Sequence, residues 1–223
     1  MSGAGRGGAD VADRPTGAGP ESGRDHPRPL TVLGIPGSLR AGSFNRRLLE
    51  EARELAPDGM QVRIFGLEDL PLYDADLDTD GARPEPVQAL ERAIGEADAV
   101  LIATPEYNHS IPGVLKNAID WASRPAGRSP LREKPVAVMG ASPGGIGTAR
   151  AQQHLQSVLL STLALLLPHP GVAVGRAREK FGEGDEGPLV HEATRGFLRS
   201  FLGDLEAWTR RVGATAPARS RAS

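Results

Sequence analysis

At 223 residues and 39% hydrophobic content, the chain is long enough to bury one sizeable core and short enough to be a single domain. Its formal net charge of −2 gives no electrostatic case for nucleic acid or membrane partners. With no cysteine it has no disulfide framework, no thiolate metal site and no cysteine nucleophile.

Residues 1–29 are rich in Gly, Ala, Pro, Arg and Asp, and Arg6, Arg14, Arg24 and Arg28 are balanced by Asp10, Asp13, Glu21 and Asp25. This stretch lacks the apolar centre of a secretion signal, and its acids argue against a transit peptide. A disordered N-terminal tail on a cytoplasmic chain is expected. Residues 30–35 are a short apolar run closed by Pro36-Gly37, which predicts a buried parallel strand. Phe44, Leu48, Leu49, Ala52 and Leu55 then fall at helical spacing, with Ser43 as N-cap and Pro57-Asp58-Gly59 as terminator. Met60, Val62, Ile64 and Phe65 predict a second strand. The polar loop after it carries Asp74, Asp76, Asp78, Asp80 and Gly81, without the glycine spacing or terminal glutamate of a calcium loop.

Residues 87–97 read as a helix and 98–103 as a third strand with no polar break. Pro112 opens another helix that finishes before Pro125, and residues 135–141 form a fourth strand. Residues 146–165 read as the longest helix, 172–174 as a fifth strand, and 190–212 as a closing helix with Phe197, Leu198, Phe201, Leu205 and Trp208 inward. Residues 213–223 resemble the N-terminal stretch in composition, so the expected domain spans 30–212 between two disordered tails. The longest apolar run, 158–167, is broken by Ser161 and Thr162 and falls short of the ~18 residues of a membrane span.

Strand-then-helix units at this spacing predict an α/β fold: a doubly wound, five-stranded parallel sheet in the flavodoxin-like order 2-1-3-4-5, with helices on both faces. Ligands of such sheets bind beyond the carboxyl ends of the strands, where the winding reverses. Three loops converge there. The first, Gly37 to Asn45, lacks both common glycine-rich phosphate patterns but offers Ser38, Arg40, Ser43, Asn45 and a helix start, enough to hold a monophosphate. The second, Thr104-Pro105-Glu106-Tyr107-Asn108, supplies stiff backbone and flat or polar surface for a planar ring. The third, Ser142-Pro143-Gly144-Gly145, brings backbone donors to the ring's far edge. Alone, each is also readable as a turn, with Glu106 and Asn108 as caps and His109 as a solvent-facing side chain. Together they predict a flavin nucleotide. No histidine set has metal-ligand spacing, and no nucleophile elbow surrounds Ser142.

Gly37-Ser38-Leu39-Arg40 with Ser43 and Asn45, Pro105-Glu106-Tyr107-Asn108, Pro71-Leu72-Tyr73-Asp74-Ala75-Asp76 and Ile111-Pro112-Gly113-Val114-Leu115-Lys116-Asn117-Ala118-Ile119-Asp120-Trp121 resemble the bacterial NAD(P)H-dependent FMN reductase family, in its quinone and chromate reductase branch. The resemblance implies non-covalent FMN reduced by NADPH or NADH and reoxidised by quinones, with chromate, azo and nitro compounds as related acceptors. It implies that Ser38, Arg40, Ser43 and Asn45 hold the phosphate. Pro105, Glu106, Tyr107 and Asn108 would line the isoalloxazine, with Ser142 and Gly145 at its far edge. It implies a homodimer or homotetramer, and leaves Asp120 and Trp121 structural or at a subunit contact. Two other functions stay open at this point: a reductase that hands reduced flavin to a partner oxygenase, and a flavodoxin-like electron carrier. The near-neutral charge disfavours the carrier, because carriers use strong acidity to steer docking.

Overall fold

The computed structural model describes residues 28–79, 83–125, 127–184 and 187–215, with Ala214 and Thr215 described by backbone alone. Residues 1–27, Asp80, Gly81 and residues 216–223, on which part of the tail and acidic-loop expectations fall, lie outside the described residues. Strand β1 (Leu30–Pro36) pairs in parallel with β2 (Met60–Ile64) on one side and β3 (Ala99–Ala103) on the other. Next to β3 runs β4 (Pro135–Ala141), also parallel. The order is therefore 2-1-3-4, with winding reversed between β1 and β3.

At the fifth position the structure differs from expectation. Two short strands share it: β5 (Leu165–Leu166) pairs with the start of β4, and β6 (Val172–Val174) with its end. The preceding helix, α4 (Ala149–Ser161), is correspondingly shorter than 146–165. Ser161 and Thr162 turn their hydroxyls back onto the carbonyls of Val158 and Leu159, and Leu163 adopts a left-handed φ of 63°. The chain thus leaves the helix inside an apolar run, where hydrophobicity gives no warning.

Helix α1 (Phe44–Glu54) begins at Ser43, whose hydroxyl accepts from the N–H groups of Asn45 and Arg46. It lies on one face of the sheet with α6 (Glu192–Thr215), the longest helix. Helices α2 (Glu85–Glu96), α3 (Gly113–Ala122) and α4 cover the other face. The single-turn helix α5 (Ala177–Lys180) follows β6. Each central strand divides its side chains between the two faces. Ala99, Leu101 and Ala103 of β3 join the α1/α6 cluster, while Val100 and Ile102 join the other. On α6, Leu198, Phe201, Leu202 and Leu205 are buried. Trp208 is half-buried and donates to the Leu165 carbonyl (3.2 Å), and Phe197 faces solvent rather than the core.

Two contacts fix the relative heights of the strands at their carboxyl ends. The Gly37 N–H bonds the Ala103 carbonyl (2.8 Å) and the Thr104 N–H bonds the Met139 carbonyl (2.9 Å). Between them Gly140 must be glycine, since a Cβ there would lie 2.2 Å from both the Thr104 carbonyl oxygen and Thr148 Oγ1.

Candidate functional site

The loops after β1, β3 and β4 leave adjacent strand ends and meet at the reversal point. In the first, the four residues singled out by the sequence divide into two pairs. Ser43 and Asn45 are buried. Ser43 caps α1, and Asn45 uses both ends of its amide on one residue: Nδ2 donates to the Ala141 carbonyl (3.0 Å) and Oδ1 accepts from the Ala141 N–H (2.8 Å). Asn45 thereby pins the first turn of α1 to the end of β4. Ser38 and Arg40 stay at the surface. Ser38 Oγ accepts the Arg40 N–H (3.3 Å), and the Arg40 guanidinium bonds the Gly42 carbonyl with its Cζ 5.9 Å from the Phe44 ring centroid. The N–H groups of Leu39, Ala41 and Gly42 have no protein acceptor among the described residues.

In the second loop Thr104 and Pro105 are buried, the Thr104 hydroxyl closing on the Pro105 carbonyl (2.8 Å). Glu106 reaches the start of α4. Its Oε2 accepts the N–H groups of Arg150 (3.0 Å) and Ala151 (3.2 Å) at the start of α4. Tyr107 and Ser110 then exchange backbone hydrogen bonds of 3.0 Å each way across a tight turn. Asn108 and His109 occupy its middle at φ 50° and 65°, a region that residues with a Cβ adopt rarely. Tyr107, Asn108 and His109 are exposed.

The third loop rests on the chain after β6. Ser142 donates its N–H to the Val174 carbonyl (2.9 Å), and its Oγ accepts from Gly144 N–H (3.2 Å). Gly145 is exposed, and a Cβ on it would meet nothing within 4 Å. One large apolar side chain from each loop faces solvent: Leu39 (50% exposed), Tyr107 (52%) and Ile146 (61%). Three convergent loops thus present a hydroxyl, a guanidinium, backbone donors and exposed apolar surface. Such a set suits a ligand with an anionic end and a flat body.

Residue types alone hid several features. The Glu106 bridge to α4 had one indirect signal: α4 has no side-chain cap of its own and no acid in its first turn. The structure separates Asp120 from Trp121. Trp121 is fully buried with Nε1 donating to the Pro71 carbonyl (2.9 Å), joined there by Asn117 Nδ2 (2.9 Å), while Asp120 pairs with Lys116 (2.6 Å). Among the described residues no group of three His, Asp or Glu side chains is arranged to hold a metal ion, and no helix is long and apolar enough to cross a membrane.

The family model for NADPH-dependent FMN reductases matches residues 30–179. An NAD(P)H-dependent FMN reductase of Pseudomonas aeruginosa is 44% identical over 183 residues, covering 82% of this chain and 97% of that protein. A 2-hydroxy-1,4-benzoquinone reductase of a Burkholderia species is 41% identical over 181 residues, covering 81% and 97%. Among solved structures, the flavoenzyme NAD(P)H:(acceptor) oxidoreductase FerB of Paracoccus denitrificans superposes with a TM-score of 0.74 at 38% identity, covering 82% of this chain and 98% of that one.

Proposed function

The chain belongs to the NADPH-dependent FMN reductase family, and we propose that the loops after β1, β3 and β4 are its FMN site. It is an NAD(P)H-dependent flavin oxidoreductase that acts on quinones. The observation that carries the site assignment is the convergence of the three loops at the reversal point with outward donors left over.

The residues present fit FMN. Ser38, Arg40 and the N–H groups of Leu39, Ala41 and Gly42 suit the phosphate. The positive end of α1 adds ~0.3–1 kcal/mol, and each hydrogen bond to a charged group roughly 1.5–3 kcal/mol. Ser43 and Asn45 serve the phosphate from behind, by holding the helix start against β4. Pro105 stiffens the backbone beside the ring. Tyr107 and Asn108 border its face, and Ser142 and Gly145 stand at its far edge, where the missing Cβ leaves room for close approach. When bound, FMN supplies the two-electron relay between NAD(P)H and the acceptor. The chain needs no nucleophile for this. Leu39, Tyr107 and Ile146 keep water from the reacting face, and backbone donors stabilise negative charge at the pyrimidine edge.

Chromate, azo and nitro compounds fall within the same reading as further acceptors. So does a cytoplasmic homodimer or homotetramer, supported by large apolar side chains such as Leu72, Leu160 and Phe197 left in solvent on the single chain. An absorption spectrum of the purified protein, followed by anaerobic titration with NADPH, then NADH, then a quinone, tests the core of the proposal. A flavin spectrum that bleaches with donor and returns with quinone is expected. A colourless protein that takes up no added FMN overturns the site, and FMN lost during turnover points instead to a reductase that hands its flavin to a partner.

A further inference from the structure

The turn between Tyr107 and Ser110 is held by more than its sequence needs. Two residues with side chains, Asn108 and His109, sit in the left-handed region, and three contacts from a single helix keep them there. The first is the pair of bonds from α4 N–H groups to Glu106 Oε2, at 3.0 and 3.2 Å. They use donors that α4 does not satisfy itself: Thr148, at its N-cap, makes no side-chain cap bond, and its Oγ1 accepts from Gln152 Nε2 (2.9 Å) instead. The second is Arg150 Nη1 on His109 Nδ1, at 2.7 Å. A guanidinium only donates, so His109 Nδ1 accepts here. The third, one helical turn on, is His154 Nδ1 with Ser110 Oγ at 3.1 Å. A clasp of this kind serving the fold alone would bury what it holds. This one leaves the Tyr107 ring half in solvent at the mouth of the crevice.

We propose that Glu106 is a positioning residue for the substrate side of the flavin: by capping α4 in trans, with Arg150 and His154 gripping the same turn, it sets where the Tyr107 ring stands. This rests on the FMN reading above, and it moves Glu106 from the ring itself to the support behind it. The carboxylate is suited to the task because it joins two of the three site loops through charge-assisted bonds to the positive end of α4. On that reading donor and acceptor would both meet the flavin on the face that Tyr107 borders, whereas no hydrogen bond joins α4 to the phosphate loop among the described residues. Loss of the clasp therefore acts on substrate binding and spares FMN.

The test compares wild type, Glu106→Gln, Glu106→Ala, Tyr107→Ala and the Glu106→Ala/Tyr107→Ala double variant. FMN affinity is read by fluorescence titration, KM and kcat with NADPH and 1,4-benzoquinone, and amide hydrogen exchange at Ser110, Arg150 and Ala151. Glu106→Ala is expected to raise KM for both substrates about fivefold or more, with kcat within about twofold and FMN affinity within about threefold. Exchange should quicken at Ser110, Arg150 and Ala151. Glu106→Gln keeps an acceptor oxygen and should recover most of the loss. The double variant should resemble Tyr107→Ala alone, because both changes act through one ring. Unchanged KM and exchange in Glu106→Ala overturn the proposal. So does a fall in FMN affinity as large as the change in KM, which would put Glu106 on the flavin itself. Should Glu106→Ala not fold, Glu106→Gln and Tyr107→Ala still decide: a Gln variant with fast exchange at Ala151 and unaltered KM refutes it. A wild-type protein that binds no FMN is a separate result, removing the site assignment and this role with it.

Discussion

The two ends of the sheet are built to opposite plans. At the amino end, polar groups are closed against one another. Asp98, just before β3, accepts the Thr31 N–H (2.8 Å) and pairs with Arg28 (2.6 Å), while the Asp98 N–H returns to the Thr31 carbonyl (2.8 Å). Lys134, before β4, is buried with its ammonium on the carbonyls of Ala97 and Gly95. At the carboxyl end, loops hold donors and apolar side chains outward, and the turn at Asn108 and His109 stays in a disfavoured conformation. A site needs groups that the fold has not already used. On the proposed assignment, two of the loops spend some residues to make others available, as Asn45 is spent for Arg40 and Glu106 for Tyr107.

The largest expected effect tests that division. Asn45→Ala strands the Ala141 N–H and carbonyl in the interior, and unfolding in urea should show a loss of about 2–4 kcal/mol. Most of it should persist at saturating FMN, because the loss belongs to the scaffold. A variant as stable as wild type that no longer binds FMN would break the comparison, by making Asn45 a ligand contact. Arg40→Ala should do the reverse. Its guanidinium is exposed, so the melting temperature of the FMN-free protein should hardly move. FMN affinity should fall by about tenfold at low salt, and the gap should narrow as salt screens the phosphate. Fluorescence titration at two ionic strengths measures it.

How much of this could be read in the sequence depended on how far each residue's partner lies. The strand ends and the α1 cap rest on neighbours, and Pro36-Gly37, Ser43 and the unbroken apolar run at 99–103 announced them. The α4 to β5 boundary did not announce itself. From Val158 to Leu167 only Ser161 and Thr162 interrupt the apolar run, and the break comes at a leucine in the left-handed region without glycine or proline to mark it. For the proposed site, the residue types singled out three loops but not the direction of each side chain. Asn45 meets Ala141 across 96 residues, and Glu106 meets α4 across 44 and 45. Such pairings are fixed by topology; the local pattern showed at most that α4 starts without a cap or an acid of its own, and did not name the partner.

The smallest effects sharpen the comparison through pH. At the closed end, burial pushes the Asp98 carboxyl upward, but the bonds from Arg28 and the Thr31 N–H outweigh it and hold it below the ordinary carboxylate value. A depressed native value means stability that is present above the ordinary range and lost as pH falls through the native one. Asp98→Asn should therefore cost no more than about 1 kcal/mol at pH 7, Arg28 being largely exposed, and the gap to wild type should close in acid. Glu91 on α2 behaves oppositely. Burial raises its carboxyl above the ordinary value, with the nearby Asp78 charge adding to it, despite the Arg83 guanidinium at 2.6 Å. Its contribution is full below the ordinary value and is lost as pH rises. Glu91→Gln should thus match or slightly exceed wild type at pH 7, within about 0.5 kcal/mol, and lose that edge in acid as Glu91 itself is neutralised. Thermal midpoints between pH 4 and 8 read both variants. Opposite signs would show that the loop after β2, which Arg83 and Glu91 hold, tolerates a charge kept at a cost, while the amino end of the sheet keeps only charges that stabilise it.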